Sequence, residues 1–334
     1  MPLPRPVMQC RAAVRRGLCD LEDGAPGALV LAACSGGPDS TALAAALMWV
    51  GPRVGLRTGV LTVDHGLEEG STERAAAVAG WARGAGADRV EVLTVTVGSA
   101  GGPEGAARTA RYAALGAAAD RLGAAAVLLG HTLDDQAETV LLGLGRGSGA
   151  RSLAGMAESA GRYRRPLLGL PRATTVGACA AQELAVWADP HNVDPAYARV
   201  RVRTQALPAL ERAVGPGVAA ALARTARLLR DDADALDDWA TRAAAAATDA
   251  DGSLAVAALA ELPRAVRRRV LLSTVRAAGS PAGAVSAAHV AGVDVLVTDW
   301  RPGRDRQVSL PGHFVARRRH GRLYVERLPG PLHR

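Results

Sequence analysis

Hydrophobic and polar positions in the first half of the chain alternate between two periods. Ala28–Cys34, Arg57–Val63, Val90–Val97 and Ala125–Leu129 are short apolar runs and read as buried strands. Segments with helical spacing separate them: Thr41–Val50, residues 71–86, Glu104–Leu122 and Leu133–Leu144. Another helix, over residues 8–20 with Val14 and Leu18 on one face, precedes the first strand. Strand and helix alternate four times, which predicts a parallel, doubly wound α/β sheet. Polar and glycine residues gather just after three of the strands, in Ser35-Gly36-Gly37-Pro38-Asp39-Ser40, Asp64-His65-Gly66 and Gly130-His131. Open α/β sheets bind ligands at that edge.

The pattern changes near Ala209. Leu222, Leu229 and Leu236 lie seven apart, with Ala226, Ala233 and Ala240 between them, and predict one long amphipathic helix over about 217–247. Its acidic run, Asp231, Asp232, Asp234, Asp237 and Asp238, reads as a solvated face. Residues 254–300 read as shorter helices, and Val308–Val325 as a hairpin turning near His320-Gly321. The expected organisation is an α/β domain over 1–212, a linker helix over 213–247 and a small, mostly helical C-terminal domain with a β-hairpin over 248–334. A length of 334 residues suits two domains at ~150 residues each.

Composition narrows the chemistry. All 40 basic residues are Arg, and Lys is absent. That excludes a Walker A nucleotide loop, a protein kinase and any Schiff-base or pyridoxal enzyme anchored on Lys. The net charge is +8, yet residues 196–230 carry a balance of +6 and residues 301–334 one of +7, leaving −5 elsewhere. Basic stretches of this kind suit a polyanion such as RNA. Cys10, Cys19, Cys34 and Cys179 are scattered without a Cys-x-x-Cys pair, which argues against a zinc ribbon, a dithiol site or an iron–sulfur cluster. Four cysteines in so long a chain fit a reducing compartment. Met1–Arg16 has no apolar signal-peptide core, and no apolar run approaches the ~18 residues needed to cross a bilayer. The expectation is a soluble, cytoplasmic protein with no membrane partner.

The turn Ser35–Ser40 carries the strongest chemical signal. Its glycines permit positive φ and close approach of a ligand to the backbone. The hydroxyls of Ser35 and Ser40 and the helix amides that follow Pro38 converge on one spot, as a phosphate requires. Asp39 would repel a phosphate unless a cation bridges them, which makes it a candidate Mg²⁺ ligand. A Ser/Asp helix cap after a glycine turn is the plainer alternative.

Ser-Gly-Gly-x-Asp-Ser after the first strand resembles the pyrophosphate-binding loop of the N-type ATP pyrophosphatases. Within that superfamily further segments resemble the tRNA(Ile)-lysidine synthetases. They are Val63-Asp64-His65-Gly66-Leu67, the segment Glu104 to Tyr112 with Arg108 and Arg111, and Gly130-His131-Thr132-Leu133-Asp134-Asp135-Gln136-Ala137-Glu138-Thr139. Arg146-Gly147-Ser148-Gly149, Leu153-Ala154-Gly155-Met156, Arg165-Pro166-Leu167-Leu168, Trp187-x-Asp189-Pro190-x-Asn192 and Tyr197-x-Arg199-x-Arg201-x-Arg203 continue the match. It runs from about residue 28 to 210; Ser152 and Val200 depart from the family pattern, where Gly and Asn are common.

The resemblance implies an ATP- and Mg²⁺-dependent ligase with an N-type ATP pyrophosphatase domain over 1–212 and a tRNA-binding domain over 248–334. Its substrates would be tRNA(Ile) with a CAU anticodon and free L-lysine. The C2 oxygen of the wobble cytidine would be adenylated with loss of pyrophosphate, and the lysine amine would then displace AMP. A 2-thiolation ATP pyrophosphatase is the alternative, disfavoured by the missing cysteine pair. The sequence leaves the oligomeric state open, a homodimer included.

In that frame Ser35, Gly36, Gly37, Pro38, Asp39 and Ser40 would hold the ATP phosphates, with Asp39 on Mg²⁺. Asp64, His65, Arg108, Arg111 and His131 would complete the ATP site. Asp135 and Glu138 lie three apart on one helical face and would take the lysine ammonium groups. One of them could serve as base, because an ammonium is no nucleophile until it loses a proton. A helix cap is the alternative role for acids at this helix start, and Asp134 suits it better than Asp135. A metal site built from His131, Asp134, Asp135 and Glu138 is a weaker alternative. Arg203 would join Asp39, Asp135 and Glu138 in catalysis. Arg199, Arg201 and Arg203 would form an arginine comb for tRNA phosphates, with all three on one side if extended and Arg199 and Arg203 aligned if helical. Arg317, Arg318 and Arg319 beside the hairpin would add contacts to the tRNA backbone.

Overall fold

A computed structural model describes residues 3–66, 70–96, 102–147, 149–187, 193–281, 283–299 and 307–328. Leu67, Ser148, Asp189, Pro190 and Asn192, and the Arg-rich residues 301–306, lie outside the described residues, as does the side chain of Glu104. The chain divides into two compact units, Met1–Arg230 and Asp231–Arg334.

The first unit begins with α1 (Arg5–Arg16) and α2 (Cys19–Gly24), two helices where one is expected over 8–20. The βα series follows: β1 (Leu29–Ala33), α3 (Pro38–Val50), β2 (Arg57–Asp64), α4 (Ser71–Gly84), β3 (Arg89–Thr94), α5 (Gly102–Leu122), β4 (Ala124–Leu129) and α6 (Leu133–Gly145). After α7 (Ala150–Leu153), two short strands, β5 (Ser159–Ala160) and β6 (Tyr163–Arg164), extend the sheet, and α8 (Arg172–Ala180) packs on α1 and α3. The strand order is β3-β2-β1-β4-β6-β5, parallel except for the β5 edge.

Alternation along the strands feeds two cores. Val30, Ala32, Val60, Ala126 and Leu128 face α1, α3 and α8 with Val14, Leu43, Leu47 and Ala178. Leu29, Leu31, Leu61, Val127 and Leu129 face the opposite way, onto Leu115, Ala118 and Ala119 of α5. Helices thus cover both faces, as the doubly wound pattern requires. Chain order reverses between β1 and β4, so the carboxyl ends of these neighbours form the crevice where such sheets take ligands.

The first unit closes with α9 (Ala198–Arg201), a π-turn over Val202–Ala206, α10 (Leu207–Val214) and the start of α11 (Val218–Ala247). The division between units falls inside α11. Arg230 donates to the carbonyls of Ala154 and Gly155 in the first unit. Leu236, Ala240, Ala243 and Ala247 belong to the core of the second.

In the second unit β7 (Leu254–Ala255), α12 (Val256–Ala260), α13 (Arg264–Ala277) and α14 (Ala287–Thr298) precede β8 (Gln307–Leu310), β9 (Phe314–Arg319) and β10 (Arg322–Arg327). The expected hairpin is present as β9 and β10, but it lies within a four-stranded sheet ordered β7-β10-β9-β8. Phe314, Ala316 and Leu323 turn inward onto α13 and α14. Arg318 shares that parity, and its guanidinium donates to the carbonyls of Leu296 and Val297 at the end of α14. The expected trio of nucleic-acid arginines is therefore split: Arg317 and Arg319 share the opposite face, and Arg318 closes a helix terminus.

Candidate active site

The turn Ser35–Ser40 joins β1 to α3 at the β1/β4 crevice. Gly36 has φ +87°, and a Cβ there would sit 3.1 Å from Val78 Cγ2, so the turn needs glycine twice over. The Ser35 amide donates to Ser40 Oγ at 3.1 Å, and Ser40 Oγ donates to the Gly37 carbonyl at 3.0 Å. The two serine hydroxyls lie 3.2 Å apart. Gly130, at the end of β4, lets the turn come close: a Cβ there would meet the Ser40 backbone at 3.0 Å.

Asp39, in the first turn of α3, is half-buried. Thr175 Oγ1 donates to its Oδ1, and Arg172 Nε donates to its Oδ2 at 3.1 Å. Burial raises its pKa against the pull of Thr175 and Arg172, and the nearby Asp135 charge adds to the rise. Asp135 and Glu138 project from α6 into the same place. Arg172 Nη2 donates to Asp135 Oδ1 at 2.7 Å, and Arg172 Nη1 lies 3.6 Å from Glu138 Oε1. Glu138 is fully buried and accepts from Arg203 Nε at 2.7 Å and Nη2 at 3.2 Å. Burial pushes the Asp135 carboxyl up, but Arg172, the donors of Thr132 and His131 outweigh it, and its pKa is lowered.

The capping expectation is reversed. Thr132 is the N-cap of α6, and its amide and hydroxyl both donate to Asp135 Oδ2, at 2.7 and 2.9 Å. Asp135 stands at the third helical position and closes a capping box. Asp134 instead accepts the backbone N–H of Arg172 at 2.7 Å, at the start of α8. Among the described residues no group of three His, Cys, Asp or Glu is arranged to hold a metal ion.

A second group of side chains is cationic. Arg108 and Arg111 lie on α5, and Arg111 is crowded by Arg108 and Arg199. Burial is the main cause of its lowered pKa, and the two neighbouring guanidiniums add to it. Among the described residues no carboxylate pairs with Arg108 or Arg111. His131 is pulled down to about 3 by burial, with Arg165, Arg111 and Arg108 contributing against Asp135, so its ring is neutral. His65 is likewise lowered, by burial and then by Arg111. The buried Nδ1 atoms of both histidines have no partner. Asp64 is less available: its carboxylate accepts from the Gly66 amide at 3.0 Å and from the Ser71 and Thr72 hydroxyls at 2.7 Å each, which ties the end of β2 to the start of α4.

The arginine comb is not formed. Residues 198–206 are helical, through α9 and the π-turn, which rules out an extended row. Arg203 is taken by Glu138, and Arg201 donates to the carbonyls of Pro195 and Ala196 at 2.7 Å each. Two residues at the centre of the cluster, Arg172 and Thr175, escape the sequence reading. Their only trace is a Pro171-Arg172-x-x-Thr175 helix start, which puts both on one face.

Comparison with known proteins accounts for nearly the whole chain. The family model described as the PP-loop domain matches residues 13–210, and the TilS substrate binding domain matches residues 254–324. A tRNA(Ile)-lysidine synthase of Thermobifida fusca is 58% identical over 322 residues, 96% of this chain and 98% of that protein. One from Streptomyces coelicolor is 59% identical over 300 residues, 89% of this chain and 85% of that protein. Among solved structures, the U34-tRNA thiolase NcsA from Methanococcus maripaludis with its 4Fe-4S cluster superposes with a TM-score of 0.56. It covers 67% of this chain and 80% of its own at 21% identity, a likeness of fold alone.

Proposed function

The chain belongs to the tRNA(Ile)-lysidine synthase family, and from that premise we propose how its side chains divide the work. The reaction is ATP-dependent formation of lysidine on tRNA(Ile). In the first step the C2 oxygen of the wobble cytidine, in a CAU anticodon, attacks the α-phosphate of ATP and pyrophosphate leaves. In the second, the amine of free lysine attacks C2; the carbon–nitrogen bond forms as the carbon–oxygen bond to AMP breaks.

The turn Ser35–Ser40 receives the departing pyrophosphate on its amides and hydroxyls. Arg108 and Arg111 supply the counter-charge that Lys provides in other nucleotide sites. Neutral His131 and His65 offer ring nitrogens to the nucleotide. Asp135 and Glu138 hold the ammonium groups of lysine, and one of them accepts the proton that the attacking nitrogen must lose. Arg203 fixes the orientation of Glu138. Mg²⁺ fits this donor set: one carboxylate, Asp39, next to a phosphate-binding turn is the usual protein share of its coordination, and the ion would offset phosphate charge. Arg199, Arg201, Arg317 and Arg319 would contact the tRNA backbone, which is outside the cluster.

One observation carries this reading. Asp39 of the phosphate turn and the Asp135–Glu138 pair of α6 meet in a single bonded cluster, so nucleotide and amine are handled side by side. Sulfur transfer is poorly served by comparison. Cys34 and Cys179 are buried, and burial raises both thiols, Cys179 to about 12, where little thiolate forms. No described helix is long and apolar enough to cross a membrane, and the four cysteines are unpaired, which suits the cytoplasm.

The test is pyrophosphate release measured with and without lysine and tRNA. Asp135→Asn and Glu138→Gln should impair amine transfer more than adenylation of the tRNA, which precedes it. An equal loss in both steps would assign the pair to the nucleotide instead.

A further inference from the structure

Arg172 takes no part in the steps above, yet it lies against every carboxylate that they use. Its Nε is 3.1 Å from Asp39 Oδ2, its Nη2 2.7 Å from Asp135 Oδ1 and its Nη1 3.6 Å from Glu138 Oε1. Arg203 is the second cation, bound to Glu138 and 4.0 Å from Asp135. Three carboxylates therefore face two guanidiniums. Asp134 is a fourth, seated on the Arg172 amide where the N-terminus of α8 opposes its charge.

An arriving ammonium must share Asp135 Oδ1 and Glu138 Oε1 with a guanidinium already there, so it meets a cation along with its carboxylates. A ligand that carries its own carboxylate offsets that cation, and a bare diamine does not. The side chain of Arg172 is only 21% exposed, so water screens this difference weakly. We propose that Arg172 is a specificity-determining residue that sets the net charge of the amine the site accepts. It favours an amino acid with one additional ammonium over a diamine of the same length. The proposal rests on the assignment of Asp135 and Glu138 to the amine. Without Arg172 the cluster gains one uncompensated negative charge, and its preference moves toward the more cationic ligand.

The experiment is a competition in one vessel. The full chain, ATP and the tRNA are given lysine and 1,5-diaminopentane (lysine without its carboxylate) together, and the two adducts on the tRNA are separated by mass. The ratio of adducts reports only on folded, active molecules, so a loss of stability does not distort it. Wild type should give the lysine adduct. Arg172→Met should move the ratio toward the diamine by about tenfold or more. Arg172→Lys keeps the charge and should stay within about threefold of wild type, although its overall rate falls with the loss of the guanidinium fork. Where Arg172→Met makes too little adduct to separate, calorimetric affinities of the two amines for that variant supply the same ratio. An unchanged ratio in Arg172→Met, or an equal shift in Arg172→Lys, overturns the proposal alone. No adduct from wild type with either amine removes the amine assignment and the proposal with it.

Discussion

Two groups of arginines stand near the β1/β4 crevice under opposite conditions. Arg172 and Arg203 lie among carboxylates and are saturated with them. Arg108 and Arg111 face one another, Arg199 and two neutral histidines, and no described carboxylate pairs with either. The difference separates residues that hold the site together from residues that await a ligand. A buried cation among like charges costs stability until an anion arrives, whereas a buried pair costs most when one member is removed. The same contrast recurs on β9. Arg318 is spent on the end of α14, whereas its neighbour Arg317 lies on the opposite face of β9.

The largest effect should come from breaking the saturated group. Glu138→Ala removes a fully buried partner from Arg203, which is itself 29% exposed and keeps Asp135 at 4.0 Å, and should destabilise the first unit by about 2 kcal/mol. Thermal unfolding checks this, and a melting temperature equal to that of wild type would show that solvent already screens the pair. Arg111→Ala should do the reverse. It should leave stability within about 0.5 kcal/mol of wild type while raising KM for ATP about tenfold, the value of one charge-assisted contact. A large loss of stability with an unchanged KM would put Arg111 with the structural arginines.

On β9 the two kinds of variant should separate in different assays. Arg318→Ala should cost about 1 kcal/mol of stability and leave the salt dependence of tRNA binding alone. Arg317→Ala should keep its stability and lower the salt slope by about one unit. Equal salt slopes in the two variants would remove the distinction.

The smallest effect is a pH dependence. His131 is held near 3 in the folded chain, far below its ordinary value of 6.5. Between those values the unfolded chain binds a proton that the folded chain does not, so the folded state loses stability as pH falls below about 6.5. His131→Asn lacks this term. Its melting temperature relative to wild type should therefore rise on going from pH 7 to pH 6, by the equivalent of up to about 0.7 kcal/mol. A constant difference would mean that the ring titrates normally.

Much of the frame was legible in the chain itself. The strands β1 to β4 and the helices between them follow from apolar runs and helical spacing, because a strand buried on both faces, as β1, β2 and β4 are, leaves little choice of residue. The phosphate turn was legible for a similar reason, since positive φ at Gly36 and the close approach at Gly130 exclude other residues. Local sequence could not say which charges meet. Arg172 lies 133 residues from Asp39, and Glu138 lies 65 from Arg203. Nothing in the spacing of either pair announces the contact. The split of Arg317 and Arg318 needed the sheet: parity along β9 is a sequence property, but which face is buried depends on α14. The reversal between Asp134 and Asp135 has the same origin, because Asp134 caps a helix that only the tertiary fold brings to it. Backbone conformation is set by neighbours in sequence, and the pairing of charges by neighbours in space.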